Sequence, residues 1–139
     1  MAELITTDAK LRDLLKATRT IALVGASPKP NRPSHGVMAF LQRAGYRVIP
    51  VNPTAAGTTI LGETVVANLA DIKEAIDMVD VFRRAEDTPE VAREAVAVGA
   101  KSLWLQLDIA NDESARIATE GGLDVVMDRC TAIEVGRLL

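Results

Sequence analysis

Residues 21–53 read IALVGASPKPNRPSHGVMAFLQRAGYRVIPVNP. Ile21 to Val24 form a short apolar run followed directly by Gly25, as expected of a buried parallel strand that turns sharply at its carboxyl end. Pro33 suits a first helical turn, Val37, Phe40, Leu41 and Ala44 recur on one face, and Gly45 supplies a left-handed exit. A second apolar run, Tyr46 to Val51, follows at once. Strand, helix and strand in this order make a βαβ unit, whose crossover is right-handed.

The same alternation continues outward from this unit. Met78 to Phe82, Ser102 to Leu105 and Leu123 to Met127 are further short apolar strands, and Gly57 to Gly62 reads as a weak edge strand. Thr7 to Ala17 is amphipathic, with Leu11, Leu14 and Leu15 at helical spacing. Thr88-Pro89 opens another helix that buries Val91, Ala95 and Val98 and stops at Gly99. Asn111 caps a third, with Asp112 and Glu113 in its first turn and Gly121 at its end. Thr131-Ala132-Ile133-Glu134 has the form of a capping box and predicts a final short helix. The expectation is an α/β, Rossmann-like, doubly wound parallel sheet in three αβα layers. It is a single domain over residues 1–139, with residues 1–17 as an N-terminal helical extension packed on it.

At 139 residues the chain has room for one sizeable core. Its 25% charged and 48% apolar residues are the balance of a folded globule. The net charge of −3 draws it neither to nucleic acid nor to an anionic membrane, so an anion must be captured locally. One cysteine, Cys130, excludes an internal disulfide framework and a cysteine-rich zinc site, and suits a reducing compartment. The start, MAELITTDAK, lacks the basic and apolar blocks of a secretory signal, and no stretch has the length of a membrane span. A cytoplasmic protein without a metal site is expected.

In an open parallel sheet, ligands bind outside the carboxyl ends of the strands. Here those ends are Gly25-Ala26-Ser27, Val51-Asn52-Pro53, Phe82-Arg83-Arg84, Gln106-Leu107-Asp108 and Asp128-Arg129-Cys130. Gly25 permits close backbone approach, Ser27 offers a hydroxyl, and the helix starting near Pro33 turns its free amides toward the same point, favouring a phosphate. The glycine spacing fits neither G-x-G-x-x-G nor the G-x-x-x-x-G-K-[ST] loop. Val51-Asn52-Pro53 also has no acidic residue for the ribose of NAD, which disfavours that cofactor; NADP, which can use a basic residue instead, is less firmly excluded.

Taken in order, VGASPKPNRPSHGVM, GYRVIPVNP, DMVDVFR, AKSLWLQLDI and VVMDRCTAIE resemble the small bacterial and archaeal CoA-binding proteins. Their domain is similar to the N-terminal CoA-binding domain of the succinyl-CoA synthetase alpha subunit. The resemblance runs from about residue 10 to the C-terminus. It implies that Gly25, Ala26 and Ser27 hold the pyrophosphate, with Arg32 and Lys29 supplying positive charge. It also implies Asn52 and Pro53 beside the adenosine, and Phe82 with Arg83 near the pantetheine arm. Asp108 departs from the pattern, which usually shows glycine after Trp-x-Gln; a carboxylate there narrows the groove or repels a phosphate.

Each of these residues also has a plainer reading. Lys29 and Arg32 can be solvated loop residues, and Asn52-Pro53 can simply stop a strand. One of Arg83 and Arg84 is expected to face the site while the other pairs with Glu86 or Asp87, Arg83 being the better candidate for the site. His35 lacks a carboxylate or nucleophile to work with and reads as helix surface. Cys130 reads as a small buried hydrophobe rather than a nucleophile, although it lies near the groove and could form a mixed disulfide with the CoA thiol. Asp80 and Asp128 are expected to cap or to pair with Arg83 or Arg129, and Trp104 to be core.

The expected function is therefore non-catalytic binding of coenzyme A, or a short acyl-CoA, at the strand ends. The chain shows no second domain for the phosphohistidine or nucleotide-grasp chemistry of the synthetases, so no catalytic residue is assigned. The alternatives are an NADP-dependent oxidoreductase, or a partner subunit of a separate acyl-CoA ligase chain. A homodimer is compatible with a single compact domain.

Overall fold

A computed structural model describes residues 2–139. Five strands form one parallel sheet: β1 (Thr20–Val24), β2 (Arg47–Val51), β5 (Met78–Val81), β6 (Ser102–Leu105) and β7 (Asp124–Val126). Their order is β2-β1-β5-β6-β7, and all four pairings are parallel. Parallel neighbours are joined by crossovers rather than tight turns, and helices cover both faces of the sheet.

Side-chain alternation divides the core between those faces. In β5, Met78 and Asp80 point to one side, Val79 and Val81 to the other, and all four are fully buried. Met78 belongs to a cluster with Leu11, Leu23, Met38, Leu41, Trp104 and Val135. Helices α1 (Asp8–Ala17), α2 (Pro33–Arg43) and α5 (Thr131–Leu138) close that side. Val79 and Val81 join Val91, Ala92, Ala95, Leu103 and Ala118 beneath α3 (Thr88–Ala97) and α4 (Asp112–Glu120). Trp104, expected in the core, is fully buried, and its indole N–H donates to the Arg129 carbonyl at 2.7 Å. α1 packs on α5, burying Leu11 and Leu15 and pairing Asp8 with Arg137 at 2.7 Å.

Most predicted helix ends form. Thr7 and Asn111 cap α1 and α4 through their side chains, and Gly45 and Gly99 take φ of +103° and +74°. Two local expectations differ. Gly57 to Gly62 is not an edge strand of the main sheet: β3 (Thr59–Ile60) pairs antiparallel with β4 (Glu63–Thr64) in a separate hairpin. Leu61 and Gly62 both have positive φ, at 48° and 83°, the turn geometry that folds a strand straight back on its neighbour. The capping box at Thr131 does not form either, because Cys130 is the N-cap residue and gives no side-chain cap bond. Thr131 turns its hydroxyl toward Asp80, while Glu134 pairs with Arg129 and Arg137.

Candidate functional site

The order β2-β1-β5 places a topological switch between β1 and β5. From β1 the chain crosses through α2 on one face to β2; from β5 it crosses through α3 on the opposite face to β6. Departing in opposite directions, the two connections leave a crevice at the carboxyl edge, where such sheets hold ligands. A cleft of about 920 Å³ lies there, near the upper end for small-molecule sites.

All five strand ends contribute to its wall, and eight of the nine predicted binding residues line it: Gly25, Ala26, Ser27, Lys29, Arg32, Asn52, Phe82 and Arg83. Pro53 does not; it begins an exposed 3-10 turn, Pro53 to Ala55, while its neighbours Thr54 and Ala55 reach the cleft. His35 stays outside the wall, on α2. Cys130 is half-buried and lines the wall, which corrects the reading of it as a buried hydrophobe.

Gly25 is the hinge of the site. Its φ is +87°, and a Cβ there would sit 2.2 Å from the Phe82 carbonyl oxygen, so both the turn and the approach of β5 require glycine. The loop after it is held internally. The amides of Gly25 and Ala26 donate to the Val51 carbonyl, that of Ser27 to the buried Ser34 hydroxyl at 3.1 Å, and that of Lys29 to the Ser27 hydroxyl at 3.2 Å. Asn52 braces it from β2: its side-chain amide donates to the Ala26 carbonyl at 2.7 Å, while its oxygen accepts from the Thr54 amide and hydroxyl. With those amides committed, the loop presents Lys29, Arg32 and the start of α2 to the cleft.

α2 is suited to an anion. Its N-cap, Arg32, makes no side-chain cap bond, and its first turn holds no acidic residue. The other four helices each carry an acidic residue there, Asp8, Glu90, Asp112 with Glu113, and Glu134. The positive end of α2's dipole is thus uncompensated by any carboxylate of its own. The cleft's charged lining consists of Lys29, Arg32, Arg83 and Arg84 against Asp108. Arg84 pairs with Glu86 and Asp87, as expected for one member of the arginine pair. Among the described residues, Lys29, Arg32 and Arg83 are in no ion pair, so three cations remain for a ligand.

Asp108 is exposed on the cleft wall with φ of +69°, a conformation that favours glycine. Its amide donates to the Asp128 carboxylate at 2.7 Å. Asp128 therefore braces a turn rather than pairing with an arginine. Asp80 departs from expectation as well. It is wholly buried, accepting from the Gln106 amide at 2.5 Å and the Thr131 hydroxyl at 3.0 Å; Gln106 also donates to Thr131 at 2.8 Å. Burial outweighs these bonds and pushes its pKa up to about 7. This closed ring joins β5, β6 and the start of α5 under the cleft floor, where Gln106 reaches the surface of the site.

In the sequence Gln106, Leu107 and Asp108 stand at a strand end, and the first two carry no signal of a role. Nor does the sequence mark Val37, Ile109 and Ile133, apolar residues that line the cleft. Val37 reads in the sequence as part of a helix's packing face and the other two carry no signal, so only the folding of α2, α5 and the β6 end around one cleft brings them to its wall.

No helix among the described residues is long and apolar enough to cross a membrane. A family model described as "CoA binding domain" matches residues 19–136. The chain is 40% identical over 125 residues to the uncharacterized protein YneT of Bacillus subtilis (strain 168), covering 90% of this chain and 91% of that one. It is also similar to the structure of cell-free ID.343 from Thermus thermophilus, at 40% identity and a TM-score of 0.92, covering 96% of this chain and all of that one. The fold recurs in a dinucleotide forming acetyl-coenzyme A synthetase from Ca. Korarchaeum cryptofilum, at 22% identity and a TM-score of 0.69 over 81% of this chain and 27% of that one. With a match through the whole sheet and the cationic cleft at its carboxyl edge, the chain belongs to the CoA-binding domain family.

Proposed function

We propose that the protein binds coenzyme A, or a short acyl-CoA, in this cleft and carries out no covalent chemistry on it. The observation that carries the reading is the charge of the site. A chain of net charge −3 gathers Lys29, Arg32 and Arg83, none of them in an ion pair among the described residues, around one cleft whose wall holds a single carboxylate, Asp108, over a helix start free of acidic residues. A ligand with a pyrophosphate and a 3′-phosphate matches that arrangement, and Asn52, neutral at the end of β2, adds no repulsion. In this reading Gly25, Ala26 and Ser27 shape the turn under the pyrophosphate, with Lys29 and Arg32 over it. Asn52 borders the adenosine, with Pro53 outside the wall starting the turn that brings Thr54 to the cleft, and Phe82 and Arg83 border the pantetheine.

Two acid–base candidates are kept from the ligand, which leaves Asp108 and Cys130 as the carboxylate and thiol on the wall, with no second acid–base group beside either in that lining. Asp80 is sealed beneath the floor by Gln106 and Thr131, and His35 lies off the wall. Neither touches the space a ligand would fill.

Isothermal titration of the purified protein with CoA, dephospho-CoA and NADP tests the proposal. CoA should bind best, with dephospho-CoA weaker by the loss of the 3′-phosphate; Arg32→Ala should weaken CoA binding by about tenfold, the scale of one charge-assisted hydrogen bond. Tighter binding of NADP than of CoA would sink the assignment. Release of free thiol from acetyl-CoA above the buffer rate would sink its non-catalytic part.

A further inference from the structure

The cleft is not uniform from end to end. The sheet order sets Asn52 and Thr54 at one side, after β2, and the β6 and β7 ends at the other. From β2 to β6 is three strand spacings, or about 14 Å. Lys29, Arg32 and Arg83 follow β1 and β5 in the middle of this span. Beyond them the wall changes character. Leu107 and Ile109 follow β6, and Cys130 and Ile133 open α5, with Asp108 the only charge among them.

Two of these side chains are held in water at a cost. Leu107 is 53% exposed and Ile133 58% exposed, and they are among only five large apolar side chains exposed in the described chain. The other three, Leu4, Leu61 and Leu139, lie away from the cleft. Two wet aliphatic groups from different elements, facing one ligand cleft, form a surface that an aliphatic group would dry. Free CoA ends in a thiol and offers little apolar area to them.

We infer that the β6–α5 end of the cleft is an acyl subsite, and that the preferred ligand is a thioester of CoA with a short aliphatic acid rather than free CoA or a dicarboxylic acyl-CoA. This rests on the CoA reading above. The acyl chain lies against Leu107, Ile109 and Ile133 at the end of the cleft opposite Asn52. Asp108, on the same wall and without a cationic partner among the described residues, opposes a terminal carboxylate such as that of a succinyl group. Each methylene that leaves water favours binding by about three- to fourfold when fully buried. On a half-open wall, a butyryl group should gain up to about tenfold over the free thiol.

Calorimetric titration of the full chain with CoA, acetyl-CoA, butyryl-CoA and succinyl-CoA tests this, alongside Ile133→Ser and Leu107→Ser, both at exposed positions that tolerate a polar residue. Affinity should rise from CoA through acetyl-CoA to butyryl-CoA, with succinyl-CoA weaker than butyryl-CoA of the same chain length. Either variant should bring the ratio of butyryl-CoA to CoA affinity toward one. Equal affinity for CoA and butyryl-CoA, or tighter binding of succinyl-CoA, overturns the acyl subsite and leaves CoA binding standing. An unchanged ratio in both variants, with a shift of the protein from dimer to monomer in sedimentation, assigns Leu107 and Ile133 to contact between copies and also overturns it. Failure of all four ligands to bind removes the CoA reading itself.

Discussion

The side-chain amide of Asn52 donates to the carbonyl oxygen of Ala26 at 2.7 Å, fastening the end of β2 to the loop that follows β1. Asn52 also receives the Thr54 amide at 3.0 Å, so one side chain uses both its donor and its acceptor to fix the cleft's edge. Asn52→Asp keeps the acceptor and turns the donor into an anion facing a carbonyl. Its stability in urea should fall by about 1–3 kcal/mol, and CoA affinity should fall with it. Asn52→Ala should lose less stability than the aspartate variant, since it removes the bond without adding repulsion. The reverse order would show that the bond does not set the loop.

Gly25→Ala faces two costs at once. A left-handed alanine is unfavourable by roughly 1–2 kcal/mol, and its Cβ, 2.2 Å from the Phe82 carbonyl oxygen, would force β1 and β5 apart. A loss of at least about 2 kcal/mol is expected in chemical denaturation, with CoA binding abolished. Gly36→Ala is the control, because a Cβ there meets no atom within 4 Å and a helix interior gains from it.

Asp80 makes stability depend on pH. Its folded pKa of about 7 lies above the ordinary value of 3.8, so between those pH values the folded chain holds a proton that the unfolded chain has lost. The stability associated with that proton is fully present below pH 3.8 and is lost as pH rises through about 7, by up to roughly 4 kcal/mol. Asp80→Asn, which is never ionised, should therefore gain on the wild type from pH 5 to pH 8 in urea denaturation midpoints. A constant difference between the two proteins across that interval would mean that Asp80 does not titrate there.

Asp108→Gly removes a carboxylate from the cleft wall and relieves a φ of +69°. Glycine's greater freedom when unfolded, worth about 0.5–1 kcal/mol, offsets that relief, so stability should change by less than about 1 kcal/mol. CoA affinity, measured by calorimetry, should rise several-fold. An unchanged affinity would put the Asp108 carboxylate out of reach of the ligand's phosphates.

The adjacent arginines should separate by function. Arg84 is engaged with Glu86 and Asp87 at 3.2 and 3.0 Å, whereas Arg83 has no ion-pair partner among the described residues. Arg83→Ala should weaken CoA binding by about tenfold and Arg84→Ala by less than about threefold. Raising the salt concentration should narrow this gap by screening both exposed charges.

The strands, the helices and the doubly wound class were legible in the sequence because short apolar runs and helical periodicity are local signals. The same local grammar located the strand ends, and with them Gly25, Asn52, Phe82 and Arg83, while the roles of Lys29 and Arg32 came with the family resemblance. It misread places where a distant neighbour decides the outcome. Thr131 has the sequence of a cap, but the buried carboxylate of Asp80, 51 residues away, takes its hydroxyl. Asp128 looks like an arginine's partner, yet the left-handed turn at Asp108 offers it an amide.

By itself, then, the sequence determined the layered α/β class and the edge of the sheet at which a ligand is held, since strand period, helix period and the glycine after β1 are written in consecutive residues. Tertiary structure alone decided the order of the strands in the sheet and what the cleft wall contains. Leu107, Ile109, Val37 and Ile133 meet there from three elements, and Arg84 is distinguished from Arg83 by the carboxylates that fold beside it. Whether an apolar or charged side chain is left to a ligand depends on which neighbours have already covered or paired with it, and packing across the sheet sets those neighbours.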